Sequence, residues 1–181
     1  MNPRRRKGLL QIVAGVLALS AIILLYHFGI AGAPRVADFL SCAEAGNSVM
    51  ESYPRQCRSA TGELFRENIG NELEKDDLIR IATPRPNAVI ASPLTVSGMA
   101  RGSWFFEASF PVKLFDGNGE LLSQGIAQAQ SDWMTKEFVP FEATLIFAVP
   151  PTSMGTFVLL KDNPSGLPEN EDELHVPVRF R

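Results

Sequence analysis

Phe105-Phe106-Glu107-Ala108-Ser109-Phe110-Pro111-Val112-Lys113-Leu114-Phe115, followed by Asp116-Gly117-Asn118-Gly119, decides the fold. Side chains of a strand alternate between faces, so a period of two places Phe106, Ala108, Phe110, Val112 and Leu114 inward. Glu107, Ser109 and Lys113 then point outward. The Gly and Asn of the next four residues tolerate positive φ and supply a tight turn, after which Leu121 to Gln130 returns as a second strand.

The same period recurs outward from this hairpin. Ile79 and Ile81 open it, Pro84-Arg85-Pro86-Asn87 interrupts it, and Leu94, Val96 and Gly98 share one face of the next strand. Phe141, Ala143, Leu145 and Phe147 alternate with Glu142 and Thr144 until Pro150-Pro151 ends the run. Phe157 to Lys161 makes a further strand, and Leu174, Val176, Val178 and Phe180 finish on one face, with His175 and Arg179 on the other. About seven strands and almost no helix predict an all-β antiparallel sandwich over residues 78–181, two sheets face to face. The Cys, Trp and Cys of antibody domains are missing from it, so packing alone must hold the core. The expected core includes Phe106, Phe110, Val112, Leu114, Phe141, Leu145, Phe147, Val176 and Val178.

Upstream, Arg4, Arg5, Arg6 and Lys7 precede a stretch, 8–33, without Asp, Glu, Lys or Arg. Its core from Leu9 to Phe28 rises about 1.5 Å per residue and so covers roughly 30 Å of hydrocarbon. The reading is a single transmembrane helix with a cytoplasmic basic tail, residues 1–7, and everything after Pro34 outside the cytoplasm. The lipid bilayer is thus a partner through residues 8–33. A cleaved signal peptide fits less well, because the apolar run is long and Pro34 follows Ala31-Gly32-Ala33. A lipid anchor at Cys42 fits poorly too, since Arg35 and Asp38 separate Leu40-Ser41-Cys42 from the apolar segment.

Residues 34–77 read as a linker module: a brief helix over Ala37 to Gly46, a short strand or turn over Gly62-Glu63-Leu64-Phe65 that tucks in Phe65, and a charged tether from Glu72 to Asp77. Cys42 and Cys57 lie on the exported side, where disulfides persist, and a bond between them closes a loop of about 15 residues, worth roughly 3 kcal/mol. Two cysteines without a nearby histidine fall short of a zinc site. Of 17 basic residues four precede the apolar stretch, whereas all 20 acidic ones follow it, which leaves the exported part at −7. Nucleic acid is a poor partner for that charge.

Two further features bear on family and site. Ile79-Arg80-Ile81, Pro84 to Asn87, Ser92-Pro93-Leu94-Thr95-Val96-Ser97-Gly98-Met99-Ala100, Trp104 to Glu107, Phe115-Asp116 with Gly119, Gly125-Ile126-Ala127, Trp133, Pro140-Phe141, Phe147 and Pro150 together resemble the immunoglobulin-like domain of bacterial spore germination proteins, Gmad2, from Leu78 to Arg181. The Cys42 to Cys57 segment resembles a short module found beside such domains in bacterial membrane proteins. The resemblance implies a β-sandwich on the cell-envelope side with a part in adhesion, assembly or ligand contact. It supplies no catalytic residue and no cofactor. The anchor, the disulfide, the sandwich and the lack of a convergent catalytic set point to a non-enzymatic envelope protein that binds another envelope protein, a wall polymer or a copy of itself.

Individual residues allow sharper readings. Trp104 and Trp133 are interaction candidates, because tryptophan is enriched in binding hot spots, or else they cap the core. Glu169, Glu171, Asp172 and Glu173 form an acidic run that suits a cation or a basic partner, or a solvated loop. Asp116, Asn118 and Glu120 lack the spacing of a calcium loop and read as a hairpin turn. His175 has no evident orienting partner for a triad. An alternative function, hydrolysis of an envelope polymer, would use outward carboxylates such as Glu107 and Glu142, which a glycosidase needs about 5–9.5 Å apart across a cleft.

Overall fold

A computed structural model describes Ser20 and residues 36–181. The anchor expected over 8–33 lies outside the described residues except for Ser20. Among the described residues no helix is long and apolar enough to cross a membrane. The chain divides into two compact units, one ending at Arg66 and the other beginning at Glu67.

The first unit is small. Helix α1 (Phe39–Glu44) precedes strands β1 (Ser48–Met50), β2 (Gln56–Arg58) and β3 (Leu64–Arg66), which form an antiparallel sheet in sequence order. Asp38 caps α1: its Oδ1 accepts from the Ser41 amide at 2.8 Å, and the Ser41 hydroxyl accepts from the Asp38 amide at 3.0 Å. This reciprocal capping satisfies donors that a helix start leaves unpaired. Cys42 and Cys57 are bonded, with Cα atoms 6.1 Å apart, and with Phe39 they are the buried centre on which Val49 and Phe65 pack. A module this short has little core, so the crosslink carries much of its order.

The second unit begins with helix α2 (Glu72–Lys75) and continues through β4 (Ile79–Thr83), β5 (Val89–Ile90), β6 (Leu94–Arg101), β7 (Ser109–Asp116), β8 (Leu121–Ala129), β9 (Phe138–Leu145), β10 (Met154–Leu160) and β11 (Glu173–Phe180). Hydrogen bonding joins all eight strands in the order β4-β6-β9-β8-β7-β10-β11-β5, and every pairing is antiparallel except β5 with β11. The expectation of two separate sheets is corrected here: β8 pairs with β7 along most of its length and with β9 at Gln128 and Ala129, so the halves stay joined. The sheet nevertheless curls over one core. Phe110 on β7 meets Phe141 on β9 edge to face, ring centres 4.9 Å apart, although β8 lies between their strands. Phe147, just beyond β9, reaches Phe180 on β11 at 5.9 Å.

Alternation sets which residues enter this core. Phe110, Val112, Leu114, Phe141, Leu145, Phe147, Val176 and Val178 are all buried in it. Phe106 is the exception and is 42% exposed, while Phe105 beside it is buried. The expected strand from Phe105 does not exist as drawn. Glu107 and Ala108 both have positive φ, and Phe106 and Ser109 exchange backbone hydrogen bonds, so a two-residue hairpin reverses the chain before β7 begins. That reversal breaks the period between Phe106 and Phe110.

The charged tether also proves to be structured. Glu72, at the start of α2, is buried and its Oε1 stands 2.6 Å from Nη1 of Arg85, which also donates to the Ile81 carbonyl. Residues 67–90 cover the open edge of β11. Asn71 donates Nδ2 to the Glu173 carbonyl and accepts the His175 amide on Oδ1; the Asn87 amide donates to the Pro177 carbonyl; the Ala88 carbonyl accepts from the Arg179 amide. An edge satisfied in this way offers no ladder to a stray strand.

Candidate functional site

A strand has two faces, and β7, β10 and β11 turn only one of them to the core. Register fixes the other. Phe115, Thr156 and Pro177 form one row across the three strands, and Lys113, Val158 and His175 form the next. Leu160 is paired with Glu173 beyond these. Val158 is buried on this outer side, so the run Phe157 to Leu160 is apolar on both faces.

Two open cavities of about 620 and 630 Å³ lie over these rows and share Leu160, Glu173 and His175. Together they make a groove along β10. From Met154 to Leu160 its floor runs roughly 20 Å at about 3.3 Å per strand residue. Asn68 lines one part of the groove, and Asn71 and Lys75 another. The position of this wall follows from the β11 edge: Gly70 has φ +69° and a Cβ there would lie 1.9 Å from the His175 carbonyl oxygen. Only glycine permits that approach.

The two ends of the groove differ in character. Phe115, Met154, Val158 and Pro177 supply an apolar stretch. At the other end stand Asp162, Glu171, Asp172 and Glu173 with Lys75 and Lys161. Lys75 is paired with Asp172 at 2.6 Å, and Lys161 Nζ donates to the Asn170 carbonyl at 3.2 Å. His175 Nε2 lies 2.6 Å from Glu173 Oε1.

The sequence candidates distribute unevenly around this groove. Glu171, Asp172 and Glu173 line it, whereas Glu169 sits exposed in a 3-10 turn nearby in sequence. His175 does have an orienting partner, Glu173, contrary to expectation, yet its row holds Val158 and Lys113 rather than a nucleophile. Trp104 is corrected as an interaction candidate: it is 1% exposed and belongs to the core. Trp133 is partly buried against the same core. Asp116 Oδ1 accepts from the amides of Asn118 and Glu120 at 2.8 and 2.9 Å, so its carboxylate organises the turn. Glu107 and Glu142 are both exposed, and neither lines the groove. Among the described residues, no group of three or more His, Cys, Asp or Glu is placed to hold a metal ion.

Asn71, Lys75 and Val158 are absent from the sequence-derived candidates. For Val158 a signal exists: an unbroken apolar run within a strand implies burial on both faces. For Asn71 and Lys75 no local pattern carries the information, because they reach the groove only through the path of residues 67–77 across β11.

Residues 78–167 are a Gmad2 domain, described as the immunoglobulin-like domain of bacterial spore germination. No curated protein and no solved structure matches the chain. The Gmad2 match ends at Leu167, short of Arg181, where the resemblance in sequence ends, although β11 completes the same core. Most of the acidic mouth and the Asn71 wall therefore lie at or beyond the edges of the Gmad2 match.

Proposed function

We propose that the chain is a non-enzymatic, membrane-anchored module of the bacterial cell envelope, with its Gmad2 domain outside the cytoplasm and its groove as the surface that meets a partner. The groove over β7, β10 and β11 is the observation that carries the binding role, because buried apolar floor on the outer side of a sheet needs a reason beyond the core. The basic cluster ahead of the apolar stretch 8–33 supports the orientation, and a disulfide suits an oxidising compartment. Hydrolysis by Glu107 and Glu142 has no support of this kind, since both side chains are exposed outside the groove.

The test is site-specific photo-crosslinking in intact cells. A photoreactive residue replacing Thr156, in the groove, should give a discrete adduct. The same residue at Thr144, exposed on β9, should not. No adduct from Thr156, or identical adducts from both positions, would overturn the binding role of the groove.

A further inference from the structure

We infer that the occupant of the groove is an extended polypeptide segment carrying a lysine or arginine, its apolar side chains on the floor and its cation in the acidic mouth. The inference rests on the proposed binding role and names the chemistry of the partner.

Shape and charge argue for it together. A floor of roughly 20 Å holds about six residues of extended chain at about 3.3 Å each, and alternate side chains would then fall on one side, toward Phe115, Val158 and Leu160. The floor holds one phenyl ring, Phe115, beside Met154, Val158, Leu160 and Pro177, with Lys113, Thr156 and His175 as polar members of its rows. Sugar rings are commonly held by stacking on exposed aromatic faces, so this floor suits aliphatic side chains better than a glycan.

The mouth then selects the sign. Two lysines face four carboxylates there, and Lys75 is already neutralised by Asp172. Lys161 is turned to the Asn170 carbonyl, which leaves Asp162 and Glu171 without an ion-pair partner among the described residues of the mouth. A cation arriving at the Leu160 end finds complementary charge; an anionic wall polymer meets repulsion, which the −7 of the exported part extends to longer range.

The experiment uses the purified full chain in detergent and fluorescence anisotropy at low and physiological salt. The probe is a labelled hexapeptide alternating Val or Leu with Thr and ending in Lys. One control replaces Lys by Glu, and the other replaces Val and Leu by Ser. The basic apolar peptide should bind best, weaken at the higher salt, and lose roughly three- to tenfold in affinity on the double change Asp162→Asn and Glu171→Gln, two partly screened charge contacts. Thr156→Trp, which fills the floor, should abolish binding. Each variant is checked by thermal melt, and amide exchange on the unmodified chain should slow along β10 when peptide is present, a readout independent of any substitution.

Equal binding of the Glu peptide, or binding indifferent to both variants, would overturn the inference. If no peptide binds while Thr156 still crosslinks a partner in cells, the groove is a binding surface and the peptide chemistry is wrong. If neither occurs, both readings fall.

Discussion

Phe110 and Phe106 test the core at the scale of single residues. Phe110 is fully buried and touches both Phe105 and Phe141 edge to face. Phe110→Ala should cost roughly 3–5 kcal/mol in denaturant melts, through lost transfer energy and the cavity left behind. Phe106→Ala should cost under about 1 kcal/mol, as expected of an exposed side chain. Comparable losses at both would put the chain reversal at Glu107 in the wrong place. That reversal is also testable. Positive φ at Glu and Ala costs on the order of 1 kcal/mol each, whereas Asn-Gly adopts it readily, so Glu107→Asn with Ala108→Gly should raise stability by roughly 1 kcal/mol. A drop on making this pair would show that those two side chains hold something the turn geometry does not reveal. The alternation from Phe110 to Leu114 was legible because large apolar residues recur every second position. The reversal before it was not, because Glu-Ala carries none of the Gly, Asn or Pro signals of a turn.

Elements succeed or fail by their ends and edges. The Asp38 carboxyl is held below its ordinary value, chiefly by the Ser41 hydroxyl and then by the Ser41 amide. A carboxyl with a depressed folded value contributes stability that is complete above its unfolded value, near 3.8, and is lost as pH falls through the folded one. Protection of the α1 amides, read by hydrogen exchange, should therefore hold at neutral pH and decline on acidification. Asp38→Ala should remove that pH dependence and about 1 kcal/mol of local stability. Gly70→Ala acts on the edge of β11, where the new Cβ would collide with the His175 carbonyl. The segment 67–77 should lift, with a loss of roughly 2–3 kcal/mol from strain and broken contacts and faster exchange of the His175 amide. Unchanged exchange there would mean the edge is held without that close approach. The helix Glu72–Lys75 was hidden in the sequence because four residues show no period, and a buried Glu72 makes sense only once Arg85 is seen beside it. The Cys42–Cys57 bond was readable from compartment and spacing, whereas the sequence left Gly62 to Phe65 open between strand and turn and the pairing with β2 decides for a strand.

The described residues combine a disulfide module with a Gmad2 domain that carries a groove on its outer sheet face, and every acidic residue of the chain follows the apolar stretch 8–33. Strand periodicity made the domain legible. The groove was not, because it is assembled from β7, β10, β11 and the path of residues 67–77, whose proximity only the fold creates. The account stands on that groove lying open outside the cytoplasm. Its most direct measurement is labelling of Thr156→Cys in intact cells with a membrane-impermeant maleimide. The expected result is modification of that one introduced thiol without lysis, with Cys42 and Cys57 unmodified. Labelling at position 156 only after the membrane is broken would place the domain on the wrong side and contradict the account.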